Sequence, residues 1–445
     1  MKFLINRLKN IPILKRLLSS RVAKNSVWIV CGKVAQMSIA FLVGIITTRY
    51  LGPSNYGVIN TAHAYASLFL PICLLGFSGI FAKVIRDHPG EDGKYLGSGL
   101  AVRLLGSLTA ILLISFIVYL LNPEDRTLRL VCFIYSFTLP FQTFDLFDYW
   151  YQSRYESKYA SIISIIGYTV STIYKVFLLI TGKGVVWFSF ATVLDYAVIA
   201  VIYMTYTVKK NHIRLSVSRK AASSMLGVSK HLILANLLIV LYGQMDKIML
   251  EKLSSASSVG LYSVAVTICT MWTFLLSAII NSMRPDIVDL HISDKNAYRN
   301  RIIQLYSFVF WVSVVISTLL CLGADAVIGL LYGADYKDAA GCLQIVTWYT
   351  GFSYLGIARN IWTVCEEKQR YEKYFAAAGI MSNFVLNIML IPSAGIKGAA
   401  AASLLTQIIT NVIIPCLFRE TRENAVLVFR SLNPLHLLRM FGVVK

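Results

Sequence analysis

Apolar residues along this chain are gathered into stretches of about 20, separated by short hydrophilic loops. An α-helix rises about 1.5 Å per residue, so about 20 residues cross a hydrocarbon layer about 30 Å thick. The pattern predicts an all-α polytopic membrane protein with 12 transmembrane helices. The predicted spans are 27–48, 58–82, 97–121, 128–149, 160–181, 186–208, 230–250, 259–283, 303–322, 341–364, 374–391 and 398–418.

Basic residues fall mainly in every second hydrophilic segment, starting with the amino-terminal one. Those segments carry 29 of the 42 Lys and Arg residues, whereas the alternate loops carry 7. Cytoplasmic loops of membrane proteins are enriched in Lys and Arg. The asymmetry therefore predicts that both termini are cytoplasmic.

Three short motifs occur twice in the same order. RYESKY at 154–159 matches RYEKY at 370–374, the turn at 180–184 matches 391–395, and YLGPSNYGV at 50–58 matches KLSSASSVGL at 252–261. Two halves of six spans each have the same orientation, which predicts two lobes related by a pseudo-two-fold axis along the membrane normal. The predicted divisions are a basic amphipathic segment 1–24, an N-lobe 25–208, a basic cytoplasmic linker 209–229, a C-lobe 230–418 and a basic cytoplasmic tail 419–445.

Composition narrows the functional class. Charged residues make up 14% of the chain, against about 25% in soluble domains. The formal net charge of +20 follows from the loop bias and favours contact with anionic lipid, not nucleic acid. The eight cysteines form no CxxC pair, so neither a disulfide framework nor a metal site is expected, and no motif indicates a cofactor. No loop is long enough for a catalytic domain, which favours a transporter over an enzyme.

The repeated motifs resemble a known family. Residues 48–58 (TRYLGPSNYGV), 246–264 (DKIMLEKLSSASSVGLYSV) and 383–401 (NFVLNIMLIPSAGIKGAAA) are similar to segments of bacterial Wzx-type polysaccharide flippases. These belong to the multidrug/oligosaccharidyl-lipid/polysaccharide exporter (MOP) superfamily. The order and spacing of the motifs carry the resemblance across nearly the whole chain.

The resemblance implies two six-helix lobes around a central cavity in the bacterial cytoplasmic (inner) membrane. It implies a flippase that moves polyprenyl-pyrophosphate-linked oligosaccharides to the outer leaflet by alternating access. The lipid II flippase branch has fourteen spans and this chain ends after the twelfth, so we expect an O-antigen, capsule or exopolysaccharide precursor as cargo. Expected partners are membrane lipid, a polysaccharide polymerase and a chain-length regulator.

Basic residues inside the predicted spans are the candidate contacts for a pyrophosphate. A cation facing lipid at mid-membrane costs about 2.5–3.5 kcal/mol, so such residues normally face a polar interior. The substrate-binding candidates are Lys33, Gln36, Arg49, Lys175 and Arg359. A structural ion pair, or snorkelling to the interface, is the alternative for the long cations.

Two acidic residues are candidates for ion coupling. Asp195 lies near the middle of span 6 and suits proton or cation coupling, although pairing with Lys175 on the neighbouring span explains it equally well. Asp246 next to Lys247 is either one half of an ion pair or an ion ligand.

Other polar residues in the spans have structural interpretations. Asn383 and Asn387 share one helix face, which predicts interhelical hydrogen bonds. Asp145 near the inner end of span 4 is expected to meet Arg154 or water, and Arg103 is expected to be structural.

Two other functions remain open on the sequence. A cation-coupled multidrug exporter of the same superfamily would be expected to have a cavity richer in acids than in bases, unlike the six intramembrane bases here. A membrane polysaccharide polymerase would be expected to have a large outer loop, and the longest one, 323–340, is short.

Overall fold

The computed structural model describes residues 21–76, 81–210 and 213–440, with side chains left undescribed at 21–38, 82, 210, 228–232, 235 and 438–440. These residues form α-, 3₁₀- and π-helical segments that are joined by turns or short loops. No strand occurs within the described ranges. The predicted all-α class is therefore confirmed.

The chain divides into two compact units. The described part of the first unit comprises residues 21–51, 65–76, 81–210 and 213–240. Its helices are α1 (Arg21–Leu74), α2 (Phe81–Asp87), α3 (Asp92–Leu121), α4 (Arg126–Ser136), α5 (Thr138–Gln142), α6 (Leu146–Ser153), α7 (Ser157–Ile180), α8 (Val185–Ile202), α9 (Val208–Lys210) and α10 (Arg219–Leu253). The end of α10 and the stretch 52–64 of α1 belong to the other unit.

The second unit comprises residues 52–64 and 241–440 of the described chain. Its remaining helices are α11 (Ala256–Thr270), α12 (Thr273–Ser293), α13 (Lys295–Leu322), α14 (Ala324–Tyr332), α15 (Ala339–Val346), α16 (Tyr349–Cys365), α17 (Glu372–Ile408), α18 (Ile414–Leu417), α19 (Arg422–Ser431) and α20 (Leu435–Met440).

Seven helical segments among the described residues are long and apolar enough to cross a membrane, and the bent pair α11 and α12 would make an eighth. Two of the seven contain a sharp kink at a glycine. Gly52 breaks α1 and Gly395 breaks α17, and both have positive φ, which glycine adopts without a Cβ clash. Each kinked segment holds two of the predicted spans. The protein is thus a multi-pass membrane protein, and the count of twelve stays a prediction.

Large apolar side chains cover the outside of several helices. Leu112 on α3 is 71% exposed and Leu319 on α13 is 64% exposed. Such exposure is unfavourable in water but expected where the surrounding medium is lipid, which is as apolar as leucine. Inside each unit the core is aromatic-rich, with fully buried Trp150 in the first and Trp362 in the second.

Candidate functional site

Asp246 on α10 is the centre of a buried polar cluster in the second unit. Its Oδ1 accepts hydrogen bonds from the side-chain amides of Asn383, at 3.0 Å, and Asn387, at 2.7 Å. Its Oδ2 accepts from the hydroxyl groups of Tyr262, at 2.7 Å, and Ser403. One carboxylate is therefore bound by four neutral donors from α11 and α17.

The kink in α17 brings these donors together. Asn383 and Asn387 are four residues apart and share a face of the helix before the kink, whereas Ser403 follows it. A Cβ on Gly398 would lie 2.0 Å from the carbonyl oxygen of Leu390, so only a glycine allows the two halves to approach this closely. The interhelical hydrogen bonds predicted for the two asparagines are confirmed.

One oxygen atom beside the carboxylate has no hydrogen-bond donor within the described parts of the chain. It is Oδ1 of Asn387, a fully buried residue, whose amide group donates to Asp246 and to Oδ1 of Asn383. Rotation of a side-chain amide by 180° exchanges its oxygen and nitrogen. The same asparagines can thus present donors to a carboxylate or oxygen ligands to a cation.

A second group of hydrogen-bonded side chains lines the same cavity as the Asp246 cluster. Asn411 donates to Gln407 at 2.7 Å, and Gln407 donates to the Tyr242 hydroxyl at 2.5 Å. A cavity of about 180 Å³, lined by Tyr242, Gln407, Asp246 and Lys247 among others, opens beside these side chains. A water molecule takes about 30 Å³ of liquid volume, so the cavity has room for an ion with part of its hydration shell.

Lys247 follows Asp246 in sequence but forms no salt bridge with it. The two interact electrostatically at longer range, and Lys247 also faces His63 on α1. Within the residues for which side chains are described, no basic group forms a salt bridge with Asp246. The direct contacts of its carboxylate in the described residues are therefore hydrogen bonds from neutral groups.

Lys175 and Asp195 lie on adjacent helices, α7 and α8, of the first unit. They interact electrostatically without a salt bridge. Asp195 is buried, and its Oδ1 lacks a hydrogen-bond partner among the groups that the structure describes. A Cβ on Gly167 would lie 2.4 Å from the Ile199 side chain, which shows how closely the two helices pack.

Arg359 on α16 is buried in the second unit. Its guanidinium lies 4.3 Å from the centre of the Phe375 ring and 3.7 Å from a carboxylate oxygen of Glu372. One guanidinium nitrogen donates to the Thr410 carbonyl at 3.5 Å. The charge of Arg359 is thus largely matched by its protein surroundings.

The other predicted substrate contacts all lie on α1. Arg49 is exposed at the end of the first half of α1, beside Tyr50, whose hydroxyl donates to the Lys183 carbonyl at 3.1 Å. Lys33 and Gln36 also lie on α1, but their side chains fall outside the described residues.

Two ion pairs lie near one end of the first unit. Asp145 forms an ion pair with the buried Arg103, while Arg154 forms one with Asp92. Asp145 was predicted to meet Arg154 or water, and the pairing with Arg154 was wrong: a 3₁₀ turn at Thr143–Asp145 interrupts the helix, and the carboxylate pairs with Arg103 on α3. Arg103 has the structural role expected of it.

Sequence reasoning missed Ser403, Gln407 and Tyr262. Ser403, Gln407 and Asn411 recur every four residues in a largely apolar, alanine-rich segment. Residues at this spacing share one helix face, so the sequence could have indicated a polar stripe there. Tyr262 had no comparable signal. No group of three or more His, Cys, Asp or Glu side chains suited to a metal occurs in the described ranges.

The sequence and the fold were compared with known proteins. Residues 22–291 match a family described as "Polysaccharide biosynthesis protein". The chain is also 28% identical over 254 residues to "Probable flippase AglR" of Haloferax volcanii, which covers 55% of this chain and 51% of that protein. The chain thus aligns with about half the length of this relative.

The structure resembles solved members of the MOP superfamily. A multidrug resistance MATE family transporter in an inward-facing conformation aligns with a TM-score of 0.66 at 13% identity, covering 89% of this chain and 99% of that one. The lipid II flippase MurJ in an inward closed conformation gives 0.64 at 14% identity, covering 94% of each chain. A MOP superfamily transporter from Pyrococcus furiosus gives 0.57 at 14% identity, covering 97% and 98%. At these identities the likeness shows the fold.

Proposed function

Because the chain belongs to the family of polysaccharide biosynthesis proteins, we propose that it is a flippase for polyprenyl-pyrophosphate-linked oligosaccharides. It moves an O-antigen, capsule or exopolysaccharide precursor from the cytoplasmic to the outer leaflet of a bacterial inner membrane. Alternating access carries the sugar head, while the polyprenyl tail stays in lipid. The relative in Haloferax volcanii bears the name of a flippase, which supports this proposal.

The observation that carries the transport mechanism is the Asp246 cluster. An acidic residue within a membrane span is costly and is kept mainly for function. A hydrogen bond to a charged group contributes about 1.5–3 kcal/mol, so the four donors to Asp246 hold a charged carboxylate within the span. We propose that this carboxylate couples flipping to a cation.

The chemistry of the cluster favours a small monovalent cation such as Na⁺. Carboxylate, amide and hydroxyl oxygens are the ligands that hard cations prefer. Asp246 would supply the charge, and Asn383, Asn387 and Ser403 would supply neutral oxygens after their donors turn away. A single carboxylate neutralises a monovalent ion and leaves a divalent ion with excess charge.

The cationic residues within the spans are the proposed contacts for the pyrophosphate. Lys33, Lys175 and Arg359 are the principal candidates, with Arg49 and Gln36 as further contacts. Asp195, facing Lys175, is a second candidate for ion coupling. We propose cytoplasmic termini and, as partners, a polysaccharide polymerase and a chain-length regulator.

The proposal is tested with purified protein in liposomes that contain a polyprenyl-pyrophosphate oligosaccharide. An inward or outward Na⁺ gradient should change the rate at which the sugar becomes accessible to a membrane-impermeant lectin. Asp246→Asn should abolish this Na⁺ dependence, while Asp335→Asn, which changes an exposed carboxylate in the same unit, should retain it. Flipping that responds to a pH gradient alone would identify the proton as the coupling ion.

Gene deletion tests the physiological role. Loss of the chain should stop display of one surface polysaccharide and leave its lipid-linked repeat unit on the cytoplasmic side. Normal display with reduced efflux of a cationic dye would support a multidrug exporter instead. Accumulation of flipped but unpolymerised repeat units would support a polymerase.

A further inference from the structure

A second polar cleft lies in the second unit, away from the Asp246 cluster. It has a volume of about 550 Å³ and is bounded by the start of α11, by α14 and α15, and by the kink of α17 at Gly395. Sites for small ligands typically measure about 300–1,000 Å³. The loops around it are those that the proposed topology puts on the outer side of the membrane.

Five polar side chains line this cleft: Asp325, Lys337, Asp338, Gln344 and Lys397. None of the five forms a side-chain hydrogen bond or ion pair with another residue in the described part of the chain. The two aspartates also do not cap the helices beside them, although both lie at helix starts. Their hydrogen-bonding capacity is free for a ligand.

Gly341 on α15 lies against the side chain of Lys397. A Cβ at this position would lie 2.6 Å from Cε and 3.1 Å from Nζ of Lys397. The glycine therefore lets the Lys397 side chain cross the surface of α15 into the cleft.

The charges of the cleft indicate the chemistry of its ligand. Two carboxylates balance two ammonium groups, so the cleft has no net charge to attract a polyanion such as pyrophosphate. Carboxylates accept from hydroxyl groups, ammonium groups donate to them, and an amide does both. This combination suits a polyhydroxylated, uncharged or zwitterionic molecule.

We propose that this cleft binds the sugar chain of the lipid-linked oligosaccharide beyond its first, pyrophosphate-linked residue. The assignment rests on the proposed flippase function and extends it. The pyrophosphate and the lipid are common to precursors of many polysaccharides, whereas the outer sugars differ. A cleft of this kind gives the transporter selectivity for its own repeat unit.

The test compares two substrates in liposomes: the polyprenyl-pyrophosphate oligosaccharide and the same lipid carrying one sugar. The double variant Asp338→Asn, Lys397→Gln should slow flipping of the first at least about tenfold, the change expected when one hydrogen bond to a charged group is lost. Flipping of the one-sugar lipid should stay at the wild-type rate. The control is Asp335→Asn with Lys252→Gln, which removes the same charges outside the cleft.

Equal rates for variant and wild type on both substrates would overturn the cleft assignment alone. Equal slowing on both would also overturn it, because the loss would then be structural. Wild-type protein that moves neither substrate would overturn the flippase function and this assignment with it.

A binding measurement does not depend on transport. In a cysteine-free variant, a cysteine at Gln344 should react more slowly with a maleimide when the free oligosaccharide, released from its lipid by mild acid, is added. A cysteine at Asp335 should react at an unchanged rate. An unprotected cysteine at Gln344 at millimolar sugar would contradict the proposal.

Discussion

Gly57 and Gly260 lie against each other where the second half of α1 crosses α11. A Cβ on Gly57 would lie 1.7 Å from the carbonyl oxygen of Ala256, and a Cβ on Gly260 would lie 2.0 Å from that of Pro53. Each glycine thus admits the backbone of the other helix. The two glycines occupy matching positions of the repeated motifs at 50–58 and 252–261, and both belong to the second unit.

Alanine at either glycine should therefore destabilise the protein. Gly57→Ala or Gly260→Ala should lower the free energy of unfolding by about 1–3 kcal/mol, the usual cost of forcing extra volume into a packed contact. The melting temperature of purified protein measures this effect. Gly44→Ala is the control, since a Cβ there meets nothing within 4 Å, and it should not lower the melting temperature. Equal stability of Gly57→Ala and the control would show that the helices do not cross in this way.

The Arg103–Asp145 ion pair gives a second stability prediction. Arg103 is fully buried, and its guanidinium also donates to the Thr143 carbonyl at 3.2 Å. Arg103→Met should leave the partly buried Asp145 without its partner and destabilise the protein by about 1–3 kcal/mol, less than the loss of one member of a fully buried pair. Adding Asp145→Leu should recover part of the loss. A single variant as stable as the wild type would contradict the buried pair.

The fold class was predictable because the local pattern determines it. Stretches of about 20 apolar residues form helices in lipid whatever their neighbours are, since the backbone must satisfy its own hydrogen bonds there. Gly52 and Gly395 were visible as breaks between spans. The face shared by Asn383 and Asn387 was likewise a local feature, and their interhelical role followed from it.

The partners of these polar groups were not predictable, because they depend on which helices pack together. Asp246 was recognised as a candidate, but its contact with Tyr262 and Ser403 requires the kink of α17 and the crossing with α11. Sequence proximity suggested Lys247 as its partner, yet adjacent helix positions point in different directions. The Asp145 error has the same origin.

Cysteine labelling tests the proposed topology. Ser54 is exposed in the turn after Gly52, and Val217 is 71% exposed in the linker before α10. In a cysteine-free background, Ser54→Cys should react with an impermeant maleimide in intact cells, and Val217→Cys only after lysis. The neighbouring residue Ser218 is a poorer position for the labelling cysteine, because its backbone amide donates to the Ser98 hydroxyl at 2.8 Å. Labelling of Val217→Cys in intact cells would overturn the orientation.

The proposed pyrophosphate contacts make a separate prediction. Lys33→Ala, Lys175→Ala and Arg359→Ala should each greatly reduce polysaccharide display at normal protein abundance, because each removes a fixed positive charge from a span. Arg359 needs a further comparison, since Glu372 and Phe375 surround it. Glu372→Gln breaks that pair while keeping the arginine, so it should retain display if Arg359 acts on substrate. Wild-type display by all three alanine variants would rule out a cationic site built from them.

Asn387 provides the sharpest test of cation coupling. Its amide donates to Asp246, and its oxygen lacks a hydrogen-bond donor among the described residues. Asn387→Leu keeps the number and branching of the side-chain heavy atoms but removes the proposed oxygen ligand. The Na⁺ concentration for half-maximal flipping should rise about tenfold, as for loss of one ligand or hydrogen bond to a charged group. The rate at saturating Na⁺ should stay close to wild type.

The control for this variant is Asn60→Ala, which removes an amide that donates to the Tyr56 carbonyl of its own helix, at 3.0 Å. It should leave the Na⁺ dependence unchanged. A purely structural role for Asn387 would instead lower protein abundance and the maximal rate together, with the same half-maximal Na⁺ concentration. That outcome would exclude Asn387 as a cation ligand, because the loss of a cation ligand raises the Na⁺ concentration needed for half-maximal flipping.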